Sequence, residues 1–215
     1  AIPRVDMELP PGLRLGFEGK MPGLVAPAEA APVDVARGDR ELAGGWAQMF
    51  AGLQNSKALC VAFRTPKLAD MARRSWKDMG KVRIATLPSS KRAAFGDAPA
   101  LESIANRPFL IAVSPSDEQL ADLRQLDSVR GGGQCIILLN ARIRGLTQSN
   151  DVKEELALAS NPVFHLRFAG DRGLVYHTLG SPWVVARRSP EGELEELSRS
   201  DSEPTVAEIE STLRR

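Results

Sequence analysis

The sequence predicts an α/β fold, three-layered and Rossmann-like: a mostly parallel central sheet flanked by helices, with a C-terminal antiparallel hairpin and a Pro-rich N-terminal arm. Three observations carry this. The run Cys135-Ile136-Ile137-Leu138-Leu139 is apolar without interruption, which only burial on both faces satisfies, as in a central parallel strand. Two more apolar runs of strand length, Ala58 to Phe63 and Pro108 to Val113, are each followed by a helix-start signal, so strand and helix alternate. Further on, Val163 to Phe168 and Leu174 to Leu179 alternate in polarity about a Gly-containing turn, which is a hairpin pattern.

Taken in order, residues 1–38 are rich in Pro, Gly and Ala and contain Leu9-Pro10-Pro11-Gly12. Proline removes donors and fixes φ, so neither a helix nor a central strand is expected there. The reading is a surface arm over 1–38 and a single α/β domain over 39–215. From Asp39 onward, Leu42, Trp46, Met49, Phe50 and Leu53 share one helical face, and Gly44-Gly45 weaken that helix without moving the face. After the strand at Ala58 to Phe63, Thr65 and Pro66 supply an N-cap and a proline at the first helical position; the period of Leu68, Met71, Ala72, Ser75, Trp76 and Met79 runs on to Gly80.

Val82 to Leu87 alternates like a less buried strand, and Pro88 to Ala100 reads as a polar loop. Ser116-Asp117-Glu118-Gln119 is a capping box whose helix buries Leu120, Leu123 and Leu126. Gly131-Gly132-Gly133 then turns the chain into the strand at Cys135, which right-handed crossover sets parallel and close to Pro108–Val113. Asn150-Asp151 caps a helix through Leu158. Ser181-Pro182-Trp183 leads into a strand at Val184, Glu191-Gly192 turns toward a last short strand, and the capping box Thr205 to Glu208 opens a final helix carrying Ile209 and Leu213.

The 215 residues, 43% hydrophobic and 26% charged, have an ordinary globular composition. No apolar run approaches the roughly 20 residues that cross a bilayer. A net charge of +1 lacks the basic excess of nucleic-acid binders. The charge is uneven, however. Lys57 to Arg92 holds ten Lys/Arg against Asp70 and Asp78, and Ser189 to Glu210 holds eight Asp/Glu against Arg199. These are either solvated faces or, on the basic side, a surface for acidic proteins or anionic headgroups. Two cysteines, Cys60 and Cys135, are no disulfide framework; buried reduced thiols are expected, with a reversible bridge open if their strands are neighbours. No signal peptide precedes the domain, so the expectation is a chain from which processing has removed a targeting segment.

No complete catalytic constellation is visible, and no cofactor or metal is expected. The glycines 131–133 precede a strand, whereas a phosphate cradle needs them between a strand and a helix. His165 and His177 have no ligand partners at metal spacing, and no serine sits in a nucleophile elbow. Asn140, Arg142 and Arg144, just past the central strand, are placed where an open α/β sheet has its crevice and suit an anion. Trp183 is either a core plug or a partner-facing anchor.

Several segments resemble a domain family of plants, algae and cyanobacteria that includes the chloroplast low-photosystem-II-accumulation assembly factor. They are Glu8-Leu9-Pro10-Pro11, Cys60 to Trp76, Leu138-Leu139-Asn140-Ala141-Arg142, and Leu174 to Val185 with Ser181-Pro182-Trp183. The sequence departs from the family pattern at Arg64-Thr65, at Ala141 between Asn140 and Arg142, and at Leu179-Gly180. The resemblance implies a chloroplast protein of the stroma or the stromal face of the thylakoid membrane, without catalysis, that binds thylakoid membrane-complex subunits in photosystem II biogenesis. On this reading Arg73, Arg74 and Lys77, with Trp183, are the partner-binding residues. The alternative is an enzyme or small anionic-ligand binder at Asn140, Arg142 and Arg144.

Overall fold

The computed structural model describes residues 4–9, 32–53, 56–76, 79, 81–89, 104, 107–126, 134–145, 150–170, 172–189 and 193–214. The glycine triplet 131–133, Lys77 and most of the polar loop 88–100 lie outside the described residues. One nine-stranded sheet runs β3-β2-β4-β5-β1-β6-β7-β8-β9. Its strands are β1 (Arg4–Glu8), β2 (Leu59–Phe63), β3 (Arg83–Thr86), β4 (Phe109–Val113), β5 (Cys135–Leu139), β6 (Asn161–Ala169), β7 (Gly173–Thr178), β8 (Trp183–Arg188) and β9 (Leu194–Ser200). The ladders from β3 through β6 are parallel, and those from β6 to β9 are antiparallel. Among the described residues the α-helices are α1 (Pro32–Leu53), α2 (Pro66–Ser75), α3 (Asp117–Arg124), α4 (Asp151–Ala159) and α5 (Val206–Leu213). The fold is mixed α/β, with a mostly parallel sheet and flanking helices.

The apolar runs account for the sheet's centre. All of β2 is buried, and β4 and β5 are buried save their first residues. Alternation divides their side chains. Val61, Ile111, Ile137 and Leu139 meet Ala43 and Ala47 of α1 and Ala69 and Ala72 of α2; Ala62, Leu110, Ile136 and Leu138 meet Leu120 and Leu123 of α3 and Leu156 of α4. Each full burial of such an aliphatic side chain is worth about 1.5–3 kcal/mol. Past β6, Val175 and Val185 receive Ile209 of α5. The register chain Asp6 to Leu138, Glu8 to His165, His165 to His177 and Val175 to Val185 puts α5 on the α3/α4 face.

The N-terminal reading is corrected. Arg4–Glu8 is a strand, hydrogen-bonded between β5 and β6 in the middle of the sheet, and α1 starts at Pro32, ahead of Asp39. The segment alternates, with Val5 and Met7 packing toward α1 and Arg4, Asp6 and Glu8 on the other face. A central strand with a charged face is unusual because burying charge costs several kcal/mol unless partners supply it; here those partners come from residues 144 and 165, remote in sequence. The helix face is also adjusted. Met49 is exposed, and Ala43 and Ala47 hold the buried stripe because small side chains let α1 approach the sheet.

The Thr65 cap and Pro66 at the first position open α2 as expected, and both capping boxes form. Helix α2 ends at Ser75, short of Gly80. Trp76 leaves helical geometry and lays its indole on Phe63, with ring centroids 5.6 Å apart. A Cβ at Gly44 would meet that indole at 2.9 Å, so this glycine admits Trp76 between α1 and the sheet.

Candidate functional site

Strand order reverses between β2 and β4, and the helices that follow these strands leave on opposite faces, α2 on one and α3 on the other. Such a divergence opens a crevice beyond the carboxyl ends of the strands. The cleft there encloses about 900 Å³. Its walls come from Phe63-Arg64 after β2, Val113 to Ser116 after β4, Asn140 to Arg142 after β5, and Asp39 of α1.

Asp39 lies at its base, only 6% exposed. Asn140 Nδ2 donates to one carboxylate oxygen at 2.6 Å, and the Ser114 hydroxyl donates to the other. Burial raises the Asp39 carboxyl above the usual carboxylate range; those two hydrogen bonds and the charge of Arg142 offset part of that rise. Asn140 binds in two further directions, accepting from the Leu9 N–H through Oδ1 at 2.7 Å and donating its own N–H to Met7 O at 2.8 Å. The crevice floor is thereby tied to both β1 and α1. Behind it, Gln119 Nε2 donates to Arg64 O and Leu87 O, bracing the β2 and β3 ends against α3.

Among the described residues, three that are not glycine take left-handed backbone conformations: Ser114 (φ 45°), Asn140 (φ 53°) and Arg142 (φ 51°). All three line this one cleft. Asparagine accepts this region readily, whereas serine and arginine hold it at a cost on the order of 1–3 kcal/mol each. The strain is concentrated just past the ends of β4 and β5, in the turns that wall the opening. Arg64 and Arg142 are exposed, and their side chains make no hydrogen bond or ion pair to another described residue; Lys153 is paired with Asp117 at 2.7 Å.

Asn140 and Arg142 therefore share the crevice, and Arg144 does not. Its guanidinium turns under the sheet, binding Asp6 Oδ2 at 2.9 Å, Glu203 Oε2 at 3.3 Å and Ser160 O at 2.6 Å. It also donates to Ala157 O, so it neutralises the carbonyl end of α4.

The basic-face residues lie elsewhere. Arg73 and Arg74 are exposed on α2. Arg73 pairs with Asp70 at 2.5 Å and donates to Ile84 O at 2.9 Å, covering part of the edge strand β3. Lys77, the third member of that set, lies outside the described residues.

The partner-facing reading of Trp183 is corrected. The indole is 4% exposed, stacked on His177 at 4.5 Å and 12° and tilted against His165 at 5.3 Å. Ladder pairing sets the two histidines opposite one another, which makes an aromatic plug under α5. His165 Nε2 is 3.3 Å from Asp6 Oδ2. Among the described residues no group of three or more His, Cys, Asp or Glu is placed to hold a metal ion. Cys60 and Cys135 are free. They sit two strands apart on opposite faces of the sheet, which excludes a bridge between them in this fold. Burial pushes the Cys60 thiol up to about 11.

Sequence reasoning missed Asp39 and Ser114 as members of the crevice. A signal for Ser114 exists: Ser114-Pro115-Ser116 after β4 repeats the strand, polar residue, proline order of Arg64-Thr65-Pro66 after β2. Asp39 carries none, because only the tertiary fold brings a helix residue to the end of β5.

No curated protein and no solved structure matches the chain. The family model for a domain of unknown function, DUF1995, matches residues 4–211, which takes in the sheet from β1 to β9 and most of α5. The chain therefore belongs to the DUF1995 family.

Proposed function

We propose that the protein is a non-enzymatic chloroplast protein, peripheral to the thylakoid membrane, that binds subunits of a membrane complex, photosystem II foremost, as an assembly factor or peripheral subunit. The observation that carries this reading is the outer face of α2. Lys67 and Arg74 stand one turn to either side of Met71, which is 39% exposed; Arg73 is exposed on the same helix, and Arg64 stands at the helix entrance. A cationic surface with an adaptable apolar centre suits an acidic protein surface, because the charges steer and the thioether packs. Family membership supports the reading. Among the described residues no helix is long and apolar enough to cross a membrane, which fits peripheral docking. Arg73→Glu with Arg74→Glu should abolish co-purification with thylakoid complexes at low salt, and the wild-type interaction should weaken as salt rises. Undiminished co-purification by the double variant would remove α2 as the docking surface.

A second reading rests on the three left-handed residues around the cleft. The crevice at the β2/β4 reversal, as in a Rossmann-like sheet, binds a small anion through Arg64 and Arg142, and Asp39 holds the loop ends in place. Thermal unfolding against a panel of nucleotides and phosphorylated metabolites tests it. A true ligand at a hundred times its Kd stabilises by about 2.7 kcal/mol; no shift across the panel would sink this reading.

A further inference from the structure

A second cleft, between α5 and the β6–β7 hairpin, is separate from the crevice and from α2. It encloses about 740 Å³ and is lined by four arginines, Arg167, Arg172, Arg187 and Arg214, against one acid, Glu210. On a chain of net charge +1 this is a pronounced local excess of positive charge. The floor is apolar, made by Val175, Ile209 and Leu213. We infer that this cleft binds a phosphate or sulfonate group carried on an apolar body.

Two of the arginines are set in place in advance. Arg167 lies over the Trp183 ring, 5.7 Å from its centroid, with Nη1 2.8 Å from Glu203 Oε1. Both of its terminal nitrogens are nonetheless buried without an aligned hydrogen bond, so they retain donor capacity. Its guanidinium occupies space that only a glycine leaves free: a Cβ on Gly145, at φ 62°, would lie 2.2 Å from Nη1. Arg187 Nη2 donates to Leu213 O at 2.7 Å. That bond occupies a carbonyl at the negative end of α5, which would otherwise repel an anion.

The other two arginines stand at the rim. The Arg172 side chain is exposed and makes no ion pair with a described residue. Among the described residues Arg214 pairs only with Glu210, one turn back at 3.2 Å, and an exposed pair of that kind is weak enough to exchange for a ligand. Pairing with a helix end accounts for Arg187, and Glu203 with the Trp183 ring for Arg167; Arg172 has no ion-pair partner among the described residues. Guanidinium forks match tetrahedral oxyanions, and arginines already fixed lower the ordering cost of binding.

The group could be presented by a soluble phosphomonoester or by an anionic lipid headgroup, and the experiment separates these. The full chain is titrated calorimetrically with phenyl phosphate and with inorganic phosphate. In parallel it is floated with vesicles of phosphatidylcholine alone or mixed with equal phosphatidylglycerol. Binding to phenyl phosphate or to the mixed vesicles is expected, and whichever binds identifies the source. The variant Arg172→Glu with Arg214→Glu, two exposed positions whose change leaves the core intact, should weaken it about tenfold or more. Arg73→Glu with Arg74→Glu, on the opposite face of the sheet, should leave the phenyl phosphate titration unchanged. The inference is overturned if neither probe binds, if the cleft variant binds like wild type, or if the α2 variant loses phenyl phosphate binding equally. Equal affinity for inorganic and phenyl phosphate would overturn the apolar part of the assignment.

Discussion

Asp39 and Asn140, 101 residues apart in sequence, meet through a 2.6 Å hydrogen bond that fastens α1 to the end of β5. The carboxylate accepts it from inside the protein, so its protonation is coupled to folding. Because burial raises the folded-state value, folding disfavours the ionised form relative to the unfolded chain. The stabilisation from that proton is complete below the unfolded value, near 4, and is lost as pH rises through the higher folded value. Asp39→Asn keeps the acceptor for Asn140 and cannot ionise. Its stability relative to wild type should therefore grow as pH rises from about 4 in urea titrations. Parallel pH profiles for the two proteins would show that the carboxyl is not held toward its neutral form.

Arg144 and Asp6 form a buried pair, with side chains 11% and 2% exposed. Arg144→Met strands the acid under the sheet and should cost about 3–5 kcal/mol. Adding Asp6→Leu should return most of that loss, since an apolar pair replaces a stranded charge. A double-mutant cycle by chemical denaturation measures the coupling, and simple additivity of the two changes would contradict the pairing.

Leu138 is fully buried at the centre of β5. Leu138→Ala should destabilise by about 2–5 kcal/mol through lost transfer energy and the cavity left behind. Leu158→Ala, at a position 90% exposed on α4, should change stability by less than about 0.5 kcal/mol. Equal effects at the two leucines would mean that β5 is not the packed centre.

The cysteines should differ in reactivity. Cys60 is wholly buried with its thiol pushed up to about 11, and Cys135 is half-buried. Alkylation of the native protein near pH 8, followed by peptide mass spectrometry, should modify Cys135 and spare Cys60 until denaturant is added. Fast modification of Cys60 would place β2 at the surface.

The legible parts of the fold were those that a short window encodes. The apolar runs of β2, β4 and β5, the Thr65, Ser116 and Thr205 caps, and the β6–β7 hairpin all state their structure within a few residues. Strand β1 was obscured because its polar face reads as exposed until Arg144 and His165 supply partners for Asp6. Trp183 stood open between core and surface because a Pro-Trp junction fits either, and the deciding contacts with His165 and His177 come from two other strands. At the crevice, Asn140 and Arg142 followed from the end of an apolar run. The turning of Arg144 under the sheet did not, since Asp6, Ser160 and Glu203 all lie far from it in sequence.

The position of β1 also bears on the order of assembly. The parallel ladders run from β3 to β6, the antiparallel ladders begin at β6, and β5 and β6 are joined only across β1. During synthesis Arg4–Glu8 leaves the ribosome before either neighbour exists. The Leu9 amide waits for Asn140, 131 residues later, to receive its hydrogen bond. Closing so long a loop is entropically expensive and slow. The β6–β9 meander is built from local pairings alone, so β1 is the strand through which it joins the rest of the sheet. A nascent chain stalled before Asn161 would carry a strand with one unpaired edge, which is a natural target for chaperones.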